Sequence, residues 1–201
     1  MNEIVFASFN LKKAEEIQRI AKDKVKVIYL KDIKEAQDIE QVEETGETFA
    51  ENAKIKAKFW AEKLNMPVIA EDSGISIDSL DGYPGVFTKR CIEKLYPGAN
   101  VNVDNPDELY PVLLKLMKES GNESTIAHWF SAIAFAFGEK EIVVQESICG
   151  DMCEKKGERE FGFDQYFIPE GKNKTLSELG PEEKDKIGPR RKAFEEILKR
   201  I

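Results

Sequence analysis

Residues 3–22, EIVFASFNLKKAEEIQRIAK, predict a buried strand, a polar turn and an amphipathic helix in direct succession. The apolar run 3–7 stops at Ser8 and Asn10, as a buried strand does where it enters a turn. From Leu11 onward, apolar residues recur at helical spacing, at positions 11, 14, 17 and 20 or 21. A strand followed at once by a helix indicates an α/β chain.

The rest of the chain continues this alternation of strands and helices. Thr48 with Glu51 three residues later forms a capping box, which starts a helix that runs to about Leu64. The apolar strand that follows is expected to end in a polar turn, Glu71-Asp72-Ser73-Gly74. Strands are predicted at 25–30, 67–70, 125–137 and 141–148, and further helices at 106–119, 181–186 and 189–200. The order of elements predicts a mixed α/β or α+β chain.

Composition limits the classes of protein. A length of 201 residues suits one large domain or two fused lobes. The net charge of −8 argues against a nucleic-acid polymer as partner, because such partners are usually met by a basic face. The N-terminus does not resemble a secretory signal, and no stretch approaches the ~18 apolar residues of a membrane span. We therefore expect a cytoplasmic protein with no membrane partner, whose three cysteines are reduced thiols.

The first candidate site lies at the opening strand-to-helix junction. The first amides of a helix lack internal partners, and the helix dipole adds partial positive charge there, so phosphate is a natural ligand. Ser8 and Asn10 can donate or accept hydrogen bonds, and Lys12 and Lys13 add positive charge. The glycine pattern of a P-loop is absent. These residues alone leave open a capped helix with surface lysines.

A second candidate site is the pair Glu71 and Asp72, which directly follows an apolar strand. Sites in α/β proteins lie at the carboxyl ends of strands, and adjacent carboxylates can bind a hard cation. Glu43 and Glu44 lie upstream and could add a ligand. Mg²⁺ prefers one or two carboxylates together with waters and substrate phosphates. The alternative is an acidic turn at the surface.

Three further features carry weaker signals. Lys56 flanks the apolar stripe of the long helix, although this position by itself favours a solvated lysine. Phe161-Gly162-Phe163-Asp164 offers a ring for stacking on a base and an acceptor beside it, although core aromatics at a turn are commoner. Lys184 and Arg190 could meet phosphates or a base carbonyl, or lie solvated at helix starts. His128, inside an apolar strand, is expected to be a core residue without a catalytic role.

Taken together and in order, five segments resemble the inosine triphosphate pyrophosphatase family over nearly the whole chain. They are IVFASFNLKKAEEI (4–17), EETGETFAENAKIKAK (43–58), VIAEDSGISIDSLDGYPGVFTKR (68–90), FGFDQYFIPEG (161–171) and TLSELGPEEKDKIGPRRKAF (175–194). The third is the most specific. One such segment would be weak, but five in the same order make a strong resemblance.

The resemblance implies a fold and an activity. The fold would be one domain over residues 1–201, with a long central mixed sheet, helices, and two lobes around an active-site cleft. The activity would be Mg²⁺-dependent hydrolysis of ITP, dITP or XTP to the monophosphate and pyrophosphate, which cleanses the nucleotide pool. Members of the family are usually homodimers. Two alternatives stay open, namely a nucleotide-binding protein without catalysis and a pyrophosphatase with a shifted base preference.

The resemblance also implies site residues. Asp72 would accept a proton and, with Lys56, form the catalytic pair, while Glu43, Asp72 and Glu71 would be linked to Mg²⁺. Phe161 would stack on the base, whose edge Lys184 and Arg190 would read. The full set implied to bind substrate is Ser8, Phe9, Asn10, Leu11, Lys12, Lys13, Ser73, Lys89, Arg90, Phe161, Gly162, Phe163, Asp164, Lys184 and Arg190.

Three positions depart from the family's usual residues. Phe9 stands where glycine is usual, and Gln165 where proline is usual. Gly188-Pro189-Arg190 replaces Ser-His-Arg, so a histidine that helps to hold the base is missing while the arginine is retained. These departures bear on base selectivity more than on hydrolysis, because the metal and phosphate residues persist.

Overall fold

The computed structural model describes residues 2–22, 24–87, 101–103, 105–158 and 161–201. Its strands are β1 (Glu3–Phe6), β2 (Lys26–Tyr29), β3 (Val68–Ile77), β4 (Ile126–Phe137), β5 (Lys140–Met152) and β6 (Phe167–Pro169). Its α-helices are α1 (Leu11–Ala21), α2 (Phe49–Leu64), α3 (Pro106–Glu119), α4 (Leu176–Leu179), α5 (Pro181–Ile187) and α6 (Pro189–Arg200). No helix of this described part has the length and hydropathy to cross a bilayer.

The six strands form one mixed sheet in the order β2-β1-β3-β4-β5-β6. β1 pairs in parallel with β2 and with β3, whereas β5 and β6 pair antiparallel. This confirms the predicted mixed α/β class. Because Phe6 of β1 lies beside Ile69 of β3, the segments that follow these two parallel strand positions start at the same level of the sheet.

The polar turn expected at 71–74 is wrong, because β3 runs unbroken from Val68 to Ile77. A turn would have let Glu71 reach water. Instead the Glu71 side chain is fully buried, and Lys13 and Arg190 supply opposite charge beside it. Because these cations neutralise the buried carboxylate, β3 can continue past Glu71 without a turn that exposes this side chain to water.

The helix starts follow local signals. Asn10 caps α1, since its Oδ1 accepts from the Lys13 amide at 3.2 Å. Thr48 caps α2 with the predicted capping box, in which the Thr48 hydroxyl accepts from the Glu51 amide and the Glu51 carboxylate accepts from the Thr48 amide. α2 ends at Leu64, and the next residue, Asn65, caps it in the left-handed conformation with φ 50°.

The chain divides into two compact units, each with its own core. The first unit comprises the described residues within Met1–Ser73, Ser131–Glu146 and Gly188–Ile201, and the second those within Gly74–Phe130 and Ser147–Ile187. In the first unit, apolar residues of α1 and α6 pack with β1, around Phe6, Ile17, Phe135 and Phe194. In the second, α3 packs with β4 and β6, around Leu113, Trp129, Tyr166 and Phe167.

His128 is not a core residue, as the sequence had suggested. Its side chain in the second unit is 36% exposed, and its Nε2 lies 3.4 Å from Oδ1 of Asp78. The apolar character of β4 misled the prediction, because alternate residues of the strand face opposite sides of the sheet and only one side is buried here. His128 lies beside Phe130, with 6.2 Å between ring centroids.

Candidate active site

The first unit brings the predicted phosphate segment and the predicted acidic pair together. The pairing of Phe6 with Ile69 sets the residues after β1 beside the residues of β3 that directly follow Ile69, among them Glu71 and Asp72. Lys13 of α1 confirms this proximity, since its Nζ lies 2.9 Å from Oε2 of Glu71. The parallel pairing of β1 and β3 therefore determines which side chains share the site.

The segment Ser8–Lys13 is a tight bend that opens α1. The Ser8 amide donates to the Phe6 carbonyl at 2.9 Å, and the Asn10 amide donates to Ser8 Oγ at 3.1 Å. Lys12 and Asn10 are exposed and Lys13 is half-buried, so charge and donors reach solvent at a helix N-terminus. Leu11 is 56% exposed, and the ring of Phe9 packs against Trp60 of α2.

Asp72 is held by groups from α2. Its Oδ2 accepts from Asn52 Nδ2 at 3.1 Å, and its Oδ1 lies 3.5 Å from Lys56 Nζ. The Asp72 side chain keeps 16% of its surface exposed. Burial raises the pKa of Asp72, while Lys56 and Lys13 oppose this rise and Glu44 adds to it. A carboxylate with a raised pKa and a face still open to solvent can accept a proton.

Lys56 lies between two carboxylates. Its Nζ is 2.8 Å from Oε2 of Glu44 and 3.5 Å from Oδ1 of Asp72, and its side chain is 16% exposed. The lysine therefore brings positive charge to Asp72 and also holds Glu44 in place. Glu43, the predicted metal-linked residue of this stretch, is exposed, and Glu44 is the one whose carboxylate reaches Lys56.

Glu71 is fully buried within a set of cations and one hydroxyl. Oε1 accepts from Arg190 Nε and from Ser131 Oγ, each at 2.8 Å, and Oε2 faces Lys13. Burial acts to raise the pKa of Glu71, but Arg190 and Lys13 hold it well below the usual range of a glutamate. The side chain is thus a charged structural element, with both oxygens engaged inside the protein.

Arg190 lies at N2 of α6 and is 2% exposed. Its Nη1 lies 2.6 Å from Oε1 of Glu16, its Nε binds Glu71, and its Nη2 donates to Ser73 Oγ at 3.3 Å. Burial alone would lower the pKa of Arg190, yet Glu16 and Glu71 raise it, so the guanidinium stays charged. In this structure Arg190 joins α6 to α1 and β3. That it reads a base edge stays a prediction.

A Mg²⁺ site needs oxygen ligands that are open to the ion. Across the described ranges, no group of three or more His, Cys, Asp and Glu side chains could hold a metal ion by itself. Asp72 and Glu44 nevertheless converge on Lys56, and Mg²⁺ commonly takes only one or two carboxylates, with phosphates and waters completing the shell. These two residues fit a metal site that the substrate completes. Glu71 does not fit, because its side chain is fully buried, whereas those of Asp72 and Glu44 keep part of their surface exposed.

The second unit groups several residues that were predicted to bind the base. Lys184 Nζ donates to both oxygens of Asp164, at 3.0 and 2.7 Å, and both side chains are buried. The same ammonium lies 4.5 Å from the ring centroid of Phe161. Gly162 has φ 55°, with open space where a Cβ would point. Phe163 belongs to the core instead, edge-on to Trp129 at 5.6 Å between centroids.

Two predicted residues cannot be placed, and three residues of the site were not predicted. Lys89 and Arg90 lie outside the described residues. Conversely, Asn52, Glu16 and Ser131 bind site residues although the sequence did not single them out. Helical spacing could have indicated the first two, because Asn52 precedes Lys56 by one turn of α2 and Glu16 follows Lys13 by nearly one turn of α1. Ser131 carries no such local signal.

The charge on Glu71 makes stability depend on pH. Because its pKa is lower in the folded than in the unfolded protein, acidification protonates the unfolded chain first and favours unfolding. The stabilisation by Glu71 is therefore fully present above the unfolded pKa of about 4.3 and declines as pH falls below it. We expect the difference in unfolding free energy between wild type and Glu71→Gln to shrink from about pH 7 to about pH 3.

Urea unfolding at a series of pH values measures this difference. Glu62→Gln, the same change at an exposed residue of α2, should follow the wild type at every pH. A difference for Glu71→Gln that stayed constant, or grew, on acidification would contradict the depressed pKa.

The chain is similar in sequence to known proteins. The model of the Ham1 family matches residues 4–200. The dITP/XTP pyrophosphatase of Geobacillus kaustophilus is 38% identical over 203 residues, covering 98% of this chain and 93% of the relative. That of Aquifex aeolicus is 33% identical over 198 residues, covering 98% and 95%.

Solved structures agree with this result. A HAM1 protein from Coxiella burnetii superposes with a TM-score of 0.81 at 29% identity, covering 99% of this chain and 98% of that one. The Ham1 protein of Staphylococcus aureus gives a TM-score of 0.76 at 29% identity, covering 98% and 97%. The similarity therefore extends over nearly the whole of this chain.

Proposed function

The chain belongs to the Ham1 family, and on that premise we propose that it hydrolyses nonstandard purine nucleoside triphosphates to the monophosphate and pyrophosphate. Its relatives named dITP/XTP pyrophosphatases support dITP and XTP as substrates, and the resemblance seen in the sequence adds ITP. The observation that carries the proposal is Asp72, a carboxylate held by Asn52 and Lys56 beside the N-terminus of α1.

Asp72 is assigned as the proton acceptor. Attack of water on the α-phosphorus releases a proton, and a carboxylate of raised pKa is better matched to take it than an ordinary aspartate. Asn52 fixes the orientation of the carboxylate by donating to Oδ2, which leaves Oδ1 on the side of Lys56. Most of the barrier to such a reaction is charge and positioning, so a fixed carboxylate and fixed cations suit it.

The cations of the first unit are assigned to the phosphates. Lys56 offsets charge near Asp72, and Lys12 and Lys13 bring positive charge to the helix start, where the dipole favours an anion. Ser8 and Asn10 add hydrogen-bonding groups in the same bend. These groups bind the triphosphate and stabilise the leaving pyrophosphate.

We propose Mg²⁺ as the cofactor. Asp72 and Glu44 are the residues that would hold it, with Glu43 as the neighbour implied by the resemblance. When bound, it would neutralise phosphate charge and lower the pKa of a coordinated water. Lys56, which contacts both Asp72 and Glu44, keeps the two carboxylates near one another before a metal arrives.

Phe161 and Lys184 of the second unit are the residues that we assign to base recognition, as the resemblance implies. Phe161 supplies a ring for stacking on the base. The ammonium of Lys184 can donate a hydrogen bond to a 6-keto oxygen. Adenine carries an amino group at position 6, which cannot accept that hydrogen bond. The buried ammonium would then lack an acceptor on the base, so ATP would be rejected. Lys184 is held by Asp164 and buried, which gives its ammonium a defined direction.

We further propose that the protein acts as a homodimer in the cytoplasm. The resemblance to a family of homodimers supports the first statement, and light scattering on the pure protein measures it. Cys149 and Cys153 are free thiols, which suits a reducing compartment.

A substrate panel tests the proposed function. Purified protein with Mg²⁺ is incubated with dITP, ITP, XTP, GTP, ATP and CTP, and pyrophosphate release is measured. We expect the nonstandard purine nucleotides to exceed ATP in kcat/KM by ~10²-fold or more, and chelation of the metal to stop the reaction. Inactivity on every nucleotide at neutral and alkaline pH would contradict the proposal.

The same panel examines a shifted base preference, the second candidate function. Two observations favour it: Pro189 stands at the first position of α6, where it offers neither an amide donor nor an imidazole, and Arg190 is held by Glu16 and Glu71. Highest kcat/KM on CTP or GTP would establish that preference. Tight binding of ITP in calorimetry without turnover would instead indicate a binding protein.

A further inference from the structure

The ring of Phe9 is packed against a second element of the first unit. Its centroid lies 5.9 Å from that of Trp60 on α2, at an interplanar angle of 57°. Trp60 is only 2% exposed and belongs to the buried face of α2. Tilted ring pairs at this distance attract each other and bury apolar surface. The contact therefore attaches the bend between β1 and α1 to α2.

The backbone of Phe9 is held as well. The Tyr29 hydroxyl, at the end of β2, donates to the Phe9 carbonyl at 3.0 Å. Tyr29 is buried, with 6% exposure, and this burial together with Asp32 raises its pKa, so the hydroxyl stays a donor. Residue 9 is thus fixed from two sides, by its ring on α2 and by its carbonyl on β2.

The conformation of the bend does not call for glycine at position 9. Among the described residues, the non-glycine residues with positive φ are Lys22, Asn65 and Asp81, so Phe9 has an ordinary backbone conformation. A glycine there would give the unfolded chain more freedom and remove the ring contact. The phenylalanine holds the bend at no conformational cost.

The face of α2 that receives the ring also carries the groups around Asp72. Lys56 precedes Trp60 by four residues and Asn52 precedes it by eight, so the three side chains lie along one side of the helix. Lys56 and Asn52 both contact Asp72. One helix therefore positions the carboxylate and, through Trp60, the Ser8–Lys13 segment.

We propose that Phe9 is a positioning residue, whose packing on Trp60 holds the Ser8–Lys13 segment in its phosphate-binding conformation before substrate arrives. This inference rests on the proposed function and extends it. A binding loop that is already ordered lowers the entropic cost of binding substrate. Asp72 and Lys56 keep their own partners when the ring is removed, so the loss should fall on phosphate binding rather than on the chemical step.

Kinetics of Phe9→Ala, Phe9→Leu and Phe59→Ala test the inference. Phe59→Ala is the matched control, because the Phe59 ring also packs on Trp60, with 5.2 Å between ring centroids. Its other ring contact is with Lys63 Nζ, on the same helix α2. We expect Phe9→Ala to raise KM for the best nucleotide ~10-fold with kcat changed less than ~3-fold. Phe9→Leu, which keeps an apolar side chain, should recover most of the loss, and Phe59→Ala should leave KM near the wild-type value.

Binding of inorganic tripolyphosphate, measured by calorimetry, provides a readout that needs no turnover. Phe9→Ala should weaken it ~10-fold, and Phe59→Ala should not.

If the wild type hydrolyses no nucleotide but this binding difference holds, the proposed function fails and the inference stands. If the wild type is active but Phe9→Ala matches wild type or Phe59→Ala in both KM and tripolyphosphate affinity, the inference is overturned. Should Phe9→Ala not fold, the comparison of Phe9→Leu with Phe59→Ala decides by the same criteria, at a smaller expected change.

Discussion

Asp72→Asn is expected to lower kcat by ~10²- to 10⁴-fold while leaving the fold intact. The asparagine has the same shape but cannot accept a proton, so general-base catalysis is lost. It can still accept from Asn52, as Asp72 does at 3.1 Å, so the packing of β3 against α2 should survive. The removal of a carboxylate that is mostly buried, and whose pKa burial raises, should not destabilise the protein strongly.

Steady-state pyrophosphate release measures this loss, and circular dichroism melting checks the fold. Asp38→Asn, the same change at an exposed aspartate, is the matched control and should retain wild-type kcat. If Asp72→Asn kept full turnover with a normal melting curve, Asp72 would not be the proton acceptor. Activity restored by raised Mg²⁺ alone would indicate a metal-holding role in place of the base.

Arg190→Met is expected to destabilise the protein by ~3–5 kcal/mol, because it leaves two buried carboxylates without their shared cation. Glu16 loses the guanidinium at 2.6 Å, and Glu71 loses Nε at 2.8 Å while it keeps Lys13. For a chain of this length each kcal/mol corresponds to about 2–4 °C in melting temperature. The midpoint should therefore fall by roughly 6–20 °C.

Calorimetric or urea unfolding measures the change, and the neighbouring residue supplies the control. Arg191 pairs with Glu195 at 2.9 Å, with its side chain 38% exposed, so Arg191→Met should cost less than ~1 kcal/mol. Adding Glu16→Gln to Arg190→Met should recover part of the loss, because a neutral amide is cheaper to bury unpaired than a carboxylate. Equal effects of Arg190→Met and Arg191→Met would show that the buried network does not stabilise the fold.

The charged residues of the first unit differ in burial. Glu71 and Arg190 are buried and bind each other, so they fix the relative positions of β3, α1 and α6. The adjacent Asp72 keeps part of its surface open and lies beside a lysine that is itself partly exposed. Neighbouring carboxylates on one strand thus have different surroundings, because successive residues of a strand face opposite sides of the sheet.

The local elements were predictable because their signals are local. The apolar spacing of residues 11–21 and the capping residues Asn10 and Thr48 act through contacts within about one helical turn, and both helices begin where these residues indicate. Strand patterns likewise identified β1, β4 and β5. The grouping of Ser8–Lys13 with Asp72 was implied by the ordered segments of the resemblance, and parallel pairing of β1 with β3 supplies its physical cause.

The site contacts that escaped prediction depend on residues far apart in the chain. Arg190 binds Glu71 across a separation of 119 residues, and Ser131 reaches the same carboxylate across 60. The sequence around Glu71-Asp72 does not indicate these partners, so the pair resembles an exposed acidic turn. For this reason the predicted strand ends too early. The contact of Phe9 with Trp60 is equally non-local, since it joins the bend before α1 to α2, which begins only at Phe49.

By itself, the sequence determined the alternation of strands and helices, the helix starts and the class of chemistry, because periodicity, caps and the ordered segments are all properties of short stretches. Only the tertiary structure decided which charges are buried and which stay open to substrate. The cost of burying a charge depends on whether an opposite charge lies within a few ångströms, and that is determined by packing between distant segments. For this reason Glu71 and Asp72, adjacent in the chain and alike in chemistry, differ in burial and in binding partners in the folded protein.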